Sequence, residues 1–507
     1  MNGFGLYTEG FKLVFGDPQV LLLLVVGSIC GIVIGALPGL TAVMAVAIMT
    51  PLTYTISPQA AMALLLGAYT AAVFGGSIGA ILLKIPGTPA AVMTVLDGYP
   101  MNERGEAGRA IGIAIVSSFI GGLFSVVVLT LFSPIIAEMA LKFGPQEYFA
   151  LAILGLSVIA YISPGSMVKG FISGALGLLI STIGMESSIG FGRYTFGSID
   201  LLTGVQMVPV MIGMFGFSEM LSMSEQINIE IKRVSSKLGR ILPTFKELRD
   251  LMPTISRQSV VGVIVGAIPA AGATIASILS YGLEKRISKR GNEFGTGVPE
   301  GIAAAESSNN ACTGGAMIPM LSLGIPGDAV TAVLIGALML HGLTPGPMLF
   351  QEHLDVVSSI FILILLGNVA FLIFGIGAAK VFPYIGLIPY KYLTSMLLAL
   401  TTVGAFAIRN SVFDVGVLLV SGVIGYFLVK CKVPVAPLIL GLVLGDIVEN
   451  NLIRSLILSD GNWFTFFSRP ISGFIMVVSI LITASPYLAQ LFTGKAVRKT
   501  ENIEDEV

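Results

Sequence analysis

The sequence predicts an all-α polytopic membrane protein with about 10–12 transmembrane segments in two inverted repeats, each holding a re-entrant hairpin and a broken helix. Three observations lead there. Of the 507 residues, 55% are hydrophobic and only 11% charged, with a mean hydropathy of +0.92, whereas an ordinary soluble domain is roughly 25% charged. Uncharged runs of about 20 residues, the length that crosses a bilayer, recur along the chain. Glycines and prolines interrupt these runs in two matching sets. Lipid offers backbone groups no water, so a broken helix at membrane depth survives only where protein or an aqueous cavity surrounds it.

The elements follow in order. Residues 21–52 carry no charge and are interrupted at Pro38-Gly39; a re-entrant hairpin and a full crossing followed by a half-helix both fit. A broken helix over 60–97 contains Gly75-Gly76, then Lys84 and the break Ile85-Pro86-Gly87. Four spans are expected over 110–137, 148–168, 170–185 and 201–218, the second and third separated only by Lys169. The polar connection 222–257 carries seven basic residues (Lys232, Arg233, Lys237, Arg240, Lys246, Arg249, Arg257) against four acidic ones. The positive-inside rule makes it cytoplasmic.

The next charged loop, 284–300, has Lys285, Arg286, Lys289 and Arg290 against three acids and reads as cytoplasmic too. The two loops agree if residues 259–283 enter and leave on one face, as a hairpin turning near Pro269-Ala270-Ala271-Gly272; the alternative is that one of the two basic loops lies on the other side. At about 1.5 Å per helical residue, each arm reaches the middle of a hydrocarbon core about 30 Å thick. A second broken helix, 306–341, carries Gly314-Gly315 and Ile325-Pro326-Gly327, which match Gly75-Gly76 and Ile85-Pro86-Gly87 with one extra residue between the landmarks. Runs 356–379, 392–408, 415–429, 433–445 and 471–494 then alternate, leaving Lys380 with Lys391, Lys430 with Lys432, and Lys495 with Arg498 and Lys499 inside.

An odd number of crossings separates the two matching sets, so the repeats are expected to be inverted. The chain divides into a first transmembrane half (1–221), a cytoplasmic linker (222–257) and a second half (258–507) with additional C-terminal helices and a cytoplasmic C-terminus.

The net charge of −1 gives no reason to expect nucleic acid. Cys30, Cys312 and Cys431 make no metal spacing, and with only His341 and His353 the chain offers no catalytic or metal-binding constellation; no enzyme activity and no cofactor are expected. The N-terminal stretch lacks the basic region of a removable signal peptide.

The stretches GALPGLTA (35–42), GGSIGAILLKIPGTPAAVMTVLDGYPM (75–101), AIPAAGATIASILSYGLEKRISK (267–289), the run from FGTGVPEG to LTPGP (294–347) and LGDIVENNLIRSLILSDGN (444–462) carry a resemblance over nearly the whole chain. It resembles the large membrane subunit of the tripartite tricarboxylate transporters, the TctA family. The resemblance implies a bacterial inner-membrane permease driven by an ion gradient. Its partners would be a small TctB-like membrane subunit and a periplasmic TctC-like solute-binding protein that delivers a carboxylate.

A di- or tricarboxylate brought to mid-membrane must exchange its water for fixed donors, and helix N-termini present N–H groups with positive partial charge. The glycines of the four breaks, Gly39, Gly87, Gly272 and Gly327, are therefore candidate substrate contacts, with Thr41, Thr88 and Thr274 in or near the first turns after them. Ser307, Ser308, Asn309, Asn310 and Thr313 place five hydrogen-bonding side chains in one membrane helix. Asn amides suit carboxylates, and Asn carbonyls suit Na⁺. Asn309, Asn310 and Thr313 are assigned to substrate, and Ser308, Asn310, Glu306 and Asp328 to a coupling ion, Na⁺ or H⁺. Tyr69, Thr70 and Ser77 occupy related positions in the first copy, Ser77 being a further substrate candidate. Lys84 is a candidate for charge compensation, and Glu449 with Arg454 for a structural pair or a subunit contact. The alternatives are a self-sufficient carrier for another small organic anion and an ion channel, which would want a continuous polar ring.

Overall fold

Most described residues lie in helices, and the helices break where glycine and proline interrupt the apolar runs. The computed structural model describes residues 3–162, 166–186, 190–225, 239–269, 271–385 and 390–493. Lys232, Arg233, Lys237, Ala270, the side chain of Lys391, and the tail with Lys495, Arg498 and Lys499 lie outside the described residues.

The order begins α1 (Gly3–Gly16), α2 (Pro18–Ala36), α3 (Ala42–Met49), α4 (Pro58–Leu83), α5 (Val92–Glu103), α6 (Ala107–Ala140), α7 (Pro145–Ile162), α8 (Met167–Ser181), α9 (Met207–Met211) and α10 (Ser218–Ser224). A π-helical turn, Ile212–Phe217, joins the last two. It continues α11 (Phe245–Ala267), α12 (Gly272–Ile287), α13 (Pro299–Leu323), α14 (Ala329–Leu340), α15 (Pro347–Glu352), α16 (Leu354–Ile385), α17 (Tyr390–Arg409), α18 (Val412–Lys430), α19 (Ala436–Leu458), α20 (Thr465–Ser468) and α21 (Pro470–Thr493). Among the described residues, seven helices are long and apolar enough to cross a membrane, and five shorter apolar helices accompany them. Two of the shorter ones, Ala42–Thr53 and Ala329–Leu340, follow breaks. The chain is an all-α polytopic membrane protein.

Local chemistry sets the boundaries. Asp17 accepts from the Gln19 amide at the start of α2 and Ser57 from the Ala60 amide at the start of α4, and Pro18 and Pro58 occupy first-turn positions that need no N–H donor. α11 begins at Phe245, inside the stretch read as polar connection, because Thr244 and Glu247 form a reciprocal capping box: the Glu247 amide donates to Thr244 Oγ1 at 3.1 Å and the Thr244 amide to Glu247 Oε2 at 2.8 Å.

Packing recurs along the chain. α2 lies on α4 as α11 lies on α13, while α16 covers α4 and α6 covers α13. Small residues allow the close approach: a Cβ on Gly31 would stand 2.5 Å from the Ala68 carbonyl oxygen and one on Gly35 2.2 Å from that of Ala72. In the second set a Cβ on Gly262 would stand 2.3 Å from the Ser308 oxygen and one on Gly266 2.5 Å from that of Cys312. These pairs hold one constant register, in which Gly75-Gly76 matches Gly315-Ala316 rather than Gly314-Gly315. The broken helices thus align without the extra residue expected from sequence.

Several charged groups away from the centre are paired. Arg257 reaches Glu284 at 2.7 Å, Arg409 reaches Asp414 at 2.7 Å, and Arg469 reaches Glu147 at 3.2 Å. Glu449 pairs with Arg193 at 2.6 Å, not with Arg454: the long loop between α8 and α9 brings a bidentate guanidinium to it. Arg257→Ala is expected to lower stability by about 1–3 kcal/mol, the scale of leaving a buried acceptor under-satisfied, because Glu284 is buried and would keep only Thr254 and Gln258. Thermal unfolding in detergent checks this.

Candidate functional site

α4 is buried along its whole membrane-length window, as a helix apolar on all sides should be. Tyr69, at its middle, is enclosed, and its hydroxyl donates to Asp328 Oδ2 at 2.7 Å. Asp328 is the N-cap of α14, its Oδ1 accepting from the Thr331 amide at 2.7 Å while Thr331 Oγ1 accepts from the Asp328 amide at 2.8 Å. One side chain of the first broken helix therefore holds the start of the second half-helix.

The converse link is also present. Asn309 of α13 occupies the register position of Tyr69, and its amide donates to the Ala90 carbonyl at 3.3 Å, just after the Pro86-Gly87 break. Asn310 donates to Asn309 Oδ1 at 2.8 Å and to the Glu306 carbonyl at 3.4 Å. Both of those partners are acceptors, which fixes the orientation of the Asn310 amide and leaves its buried Oδ1 without a donor.

One turn away, Glu306 is fully buried. Its carboxyl accepts from Thr94 of α5 and, at 3.0 Å, from Ser118 of α6. None of the ion pairs among the described residues includes Glu306 or Asp328. An unpaired carboxylate at such depth costs several kcal/mol, which makes an acid held only by neutral partners within a membrane helix a functional candidate.

The breaks themselves are tightly seated. The Gly87 amide donates to the Gly76 carbonyl at 3.1 Å, and a Cβ on Gly87 would stand 2.1 Å from the Gly35 oxygen. A Cβ on Gly327 would stand 2.5 Å from Ala316 Cα and 2.7 Å from the Gly266 oxygen. Each half-helix break thus rests on the end of the preceding helix pair. Gly272 takes a left-handed φ of 68°, and a Cβ there would lie 3.5 Å from Asp328 Cβ, so the third and fourth breaks are neighbours. α12 also packs against residues 89–91, and α14 against α3.

The remaining candidates divide by what their polar atoms do. Thr88 is buried with its hydroxyl unpartnered. Thr41 caps α3 by accepting from the Met44 amide at 3.1 Å. Ser77, Ser308 and Thr313 donate to carbonyls of their own helices. Thr274 is half-buried, and Gly39 is exposed with a φ of 83°. Lys84 is exposed in a left-handed cap of α4, its Nζ 5.5 Å from the Tyr99 ring centroid, and is not among the residues brought together. Thr94 and Ser118 escaped the sequence reading because isolated hydroxyls in apolar helices give no signal until their partner is known.

A polytopic helical membrane protein with paired helix breaks around enclosed polar groups belongs among the transport proteins. The chain belongs to the tripartite tricarboxylate transporter TctA family, whose sequence model matches residues 21–440. It is 34% identical over 458 residues, 90% of each chain, to an "Uncharacterized 52.8 kDa protein in TAR-I ttuC' 3'region" of Agrobacterium vitis. It is also 34% identical over 245 residues, 48% of this chain and all of the relative, to an "Uncharacterized protein in TAR-II ttuC' 3'region" of the same organism. No solved structure matches it.

Proposed function

We propose that the chain is the permease subunit of a tripartite, binding-protein-dependent transporter, and that it takes up a citrate-like di- or tricarboxylate across the bacterial inner membrane by secondary active transport. A small TctB-like membrane subunit and a periplasmic TctC-like protein are its partners, Na⁺ or H⁺ its coupling ion. The two sets of elements are inverted repeats with re-entrant hairpins, and alternating access proceeds around a mid-membrane site between them. The reciprocal reach of Tyr69 to Asp328 and of Asn309 to Ala90 carries this reading, since each broken helix holds the other set's half-helix beside a buried acid and unpartnered acceptors. The constant register of the helix packing supports the repeats.

Reconstitution in proteoliposomes tests it. Saturable citrate accumulation that requires an ion gradient and the added binding protein is expected, whereas conductive leak without accumulation would reject the carrier in favour of a channel. Within that assay Asn309→Ala should lower uptake about tenfold, the equivalent of roughly 1.4 kcal/mol, with membrane insertion unchanged. Uptake at the wild-type rate would remove the Asn pair from the site.

A further inference from the structure

The two half-helices are not held alike. α5 and the turn before it run against α13 through three polar contacts: the Ala90 carbonyl in that turn accepts from Asn309, Thr94 of α5 donates to Glu306, and Asp97 of α5 reaches the beginning of α13. Positions 94 and 97 are spaced as neighbours on one helix face. Asp97 is fully buried. Its Oδ1 accepts from the Gly295, Gly297 and Val298 amides at 2.9, 2.8 and 2.7 Å, and its Oδ2 from the Tyr281 hydroxyl at 2.8 Å.

Val298 is the N-cap of α13 and has no side-chain cap of its own, so a carboxylate from α5 supplies the anion that a helix N-terminus favours. The approach depends on glycine: a Cβ on Gly301 would stand 2.0 Å from Asp97 Oδ2. Arg104, one helix end further, donates to the Thr296 and Gly297 carbonyls at 2.7 and 2.8 Å.

At the matching register α14 carries Val330, Leu334 and Ala337, all buried and apolar. Its ties to other elements lie at its two ends: Tyr69 donates to Asp328 at 2.7 Å, and His341 Nε2 lies 3.3 Å from Thr53 Oγ1.

We infer that Asp97 is a positioning residue that fastens α5 to α13 and makes α5 the fixed wall of the proposed site, leaving α14, held by polar ties at its two ends and by none along its length among the described residues, as the wall that moves. The assignment rests on the proposed transport only for what enters the cavity; the fastening itself is independent of substrate.

Hydrogen exchange of the reconstituted wild-type protein, without ligand, tests it directly. Amides of residues 92–97 are expected to exchange about tenfold or more slower than those of 330–335, because local opening follows the number of ties that must break. Asp97→Ala should speed exchange at 92–97 and 295–298 by about tenfold and leave 330–335 unchanged, while Asp97→Asn, which keeps an acceptor oxygen for the same amides, restores most of the protection. Equal exchange of the two half-helices in the wild type overturns the inference, and needs no variant to fold. So does an Asp97→Ala protein in which both half-helices loosen alike. In the citrate uptake assay Asp97→Ala should raise KM about tenfold with a smaller change in maximal rate, whereas a scaffold role alone would lower the amount of active protein and leave KM in place. If the wild type carries no citrate while the exchange pattern holds, the transport reading fails and the fastening stands.

Discussion

Gly87→Val and Gly327→Val are each expected to abolish uptake. Both glycines sit where a break folds back onto the preceding helices, and a Cβ at either would fall 2.1 Å from the Gly35 carbonyl oxygen or 2.5 Å from Ala316 Cα. These obstacles are backbone atoms, so no rotamer change relieves them. Overpacking of this kind costs about 1–3 kcal/mol where the structure can yield, and here it yields by pushing the half-helix start, with Thr88 or Asp328 on it, away from the preceding helix pair. A displacement near 1 Å at a site made of positioned groups costs roughly 100-fold in rate. Uptake in proteoliposomes, scaled to the amount of inserted protein, measures it. Robust uptake by either variant would show that the close seating of the breaks is dispensable.

Asp328→Ala should come next in severity. Two losses combine: the cap of α14, worth about 0.5–2 kcal/mol, and the acceptor of the buried Tyr69 hydroxyl, whose orphaning costs about 1–3 kcal/mol. Uptake is expected to fall tenfold or more, at about 1.4 kcal/mol per decade, with a lower melting temperature. Tyr69→Phe removes the link without orphaning a donor and leaves the Thr331 cap in place, so it should be the milder change. If Asp328→Ala matched Tyr69→Phe in both uptake and stability, the cap would have no part in the effect.

The breaks were legible in the sequence because glycine and proline inside apolar runs leave few alternatives. Interruptions expected at Pro38-Gly39, Pro86-Gly87, Pro269 to Gly272 and Pro326-Gly327 lie between α2 and α3, α4 and α5, α11 and α12, and α13 and α14. Register was less legible. The run Gly314-Gly315 invited a match to Gly75-Gly76, yet the residue that receives Gly327 is Ala316, since a methyl group still fits where Gly76 has none.

Partner choice was the least legible. Asp97 accepts from amides about two hundred residues away, and backbone donors leave no side-chain signature to find. Glu449 looked pairable with Arg454 on its own helix, but Arg193 arrives from a distant loop with both guanidinium nitrogens. The Ser/Asn stretch, by contrast, announced itself by composition alone, and Asn309, Asn310 and Glu306 are fully buried, Glu306 against Thr94 of α5 and Ser118 of α6.

A structure of the reconstituted transporter with citrate bound is the most direct test of the proposed site. A carboxylate is expected between the starts of α5 and α14, within hydrogen-bonding distance of Thr88 and the Asn309–Asn310 pair, with Asp328 at its margin. Citrate bound on an outer face of the helices, with the groups around Asn309 and Asp328 still closed on one another, would contradict it.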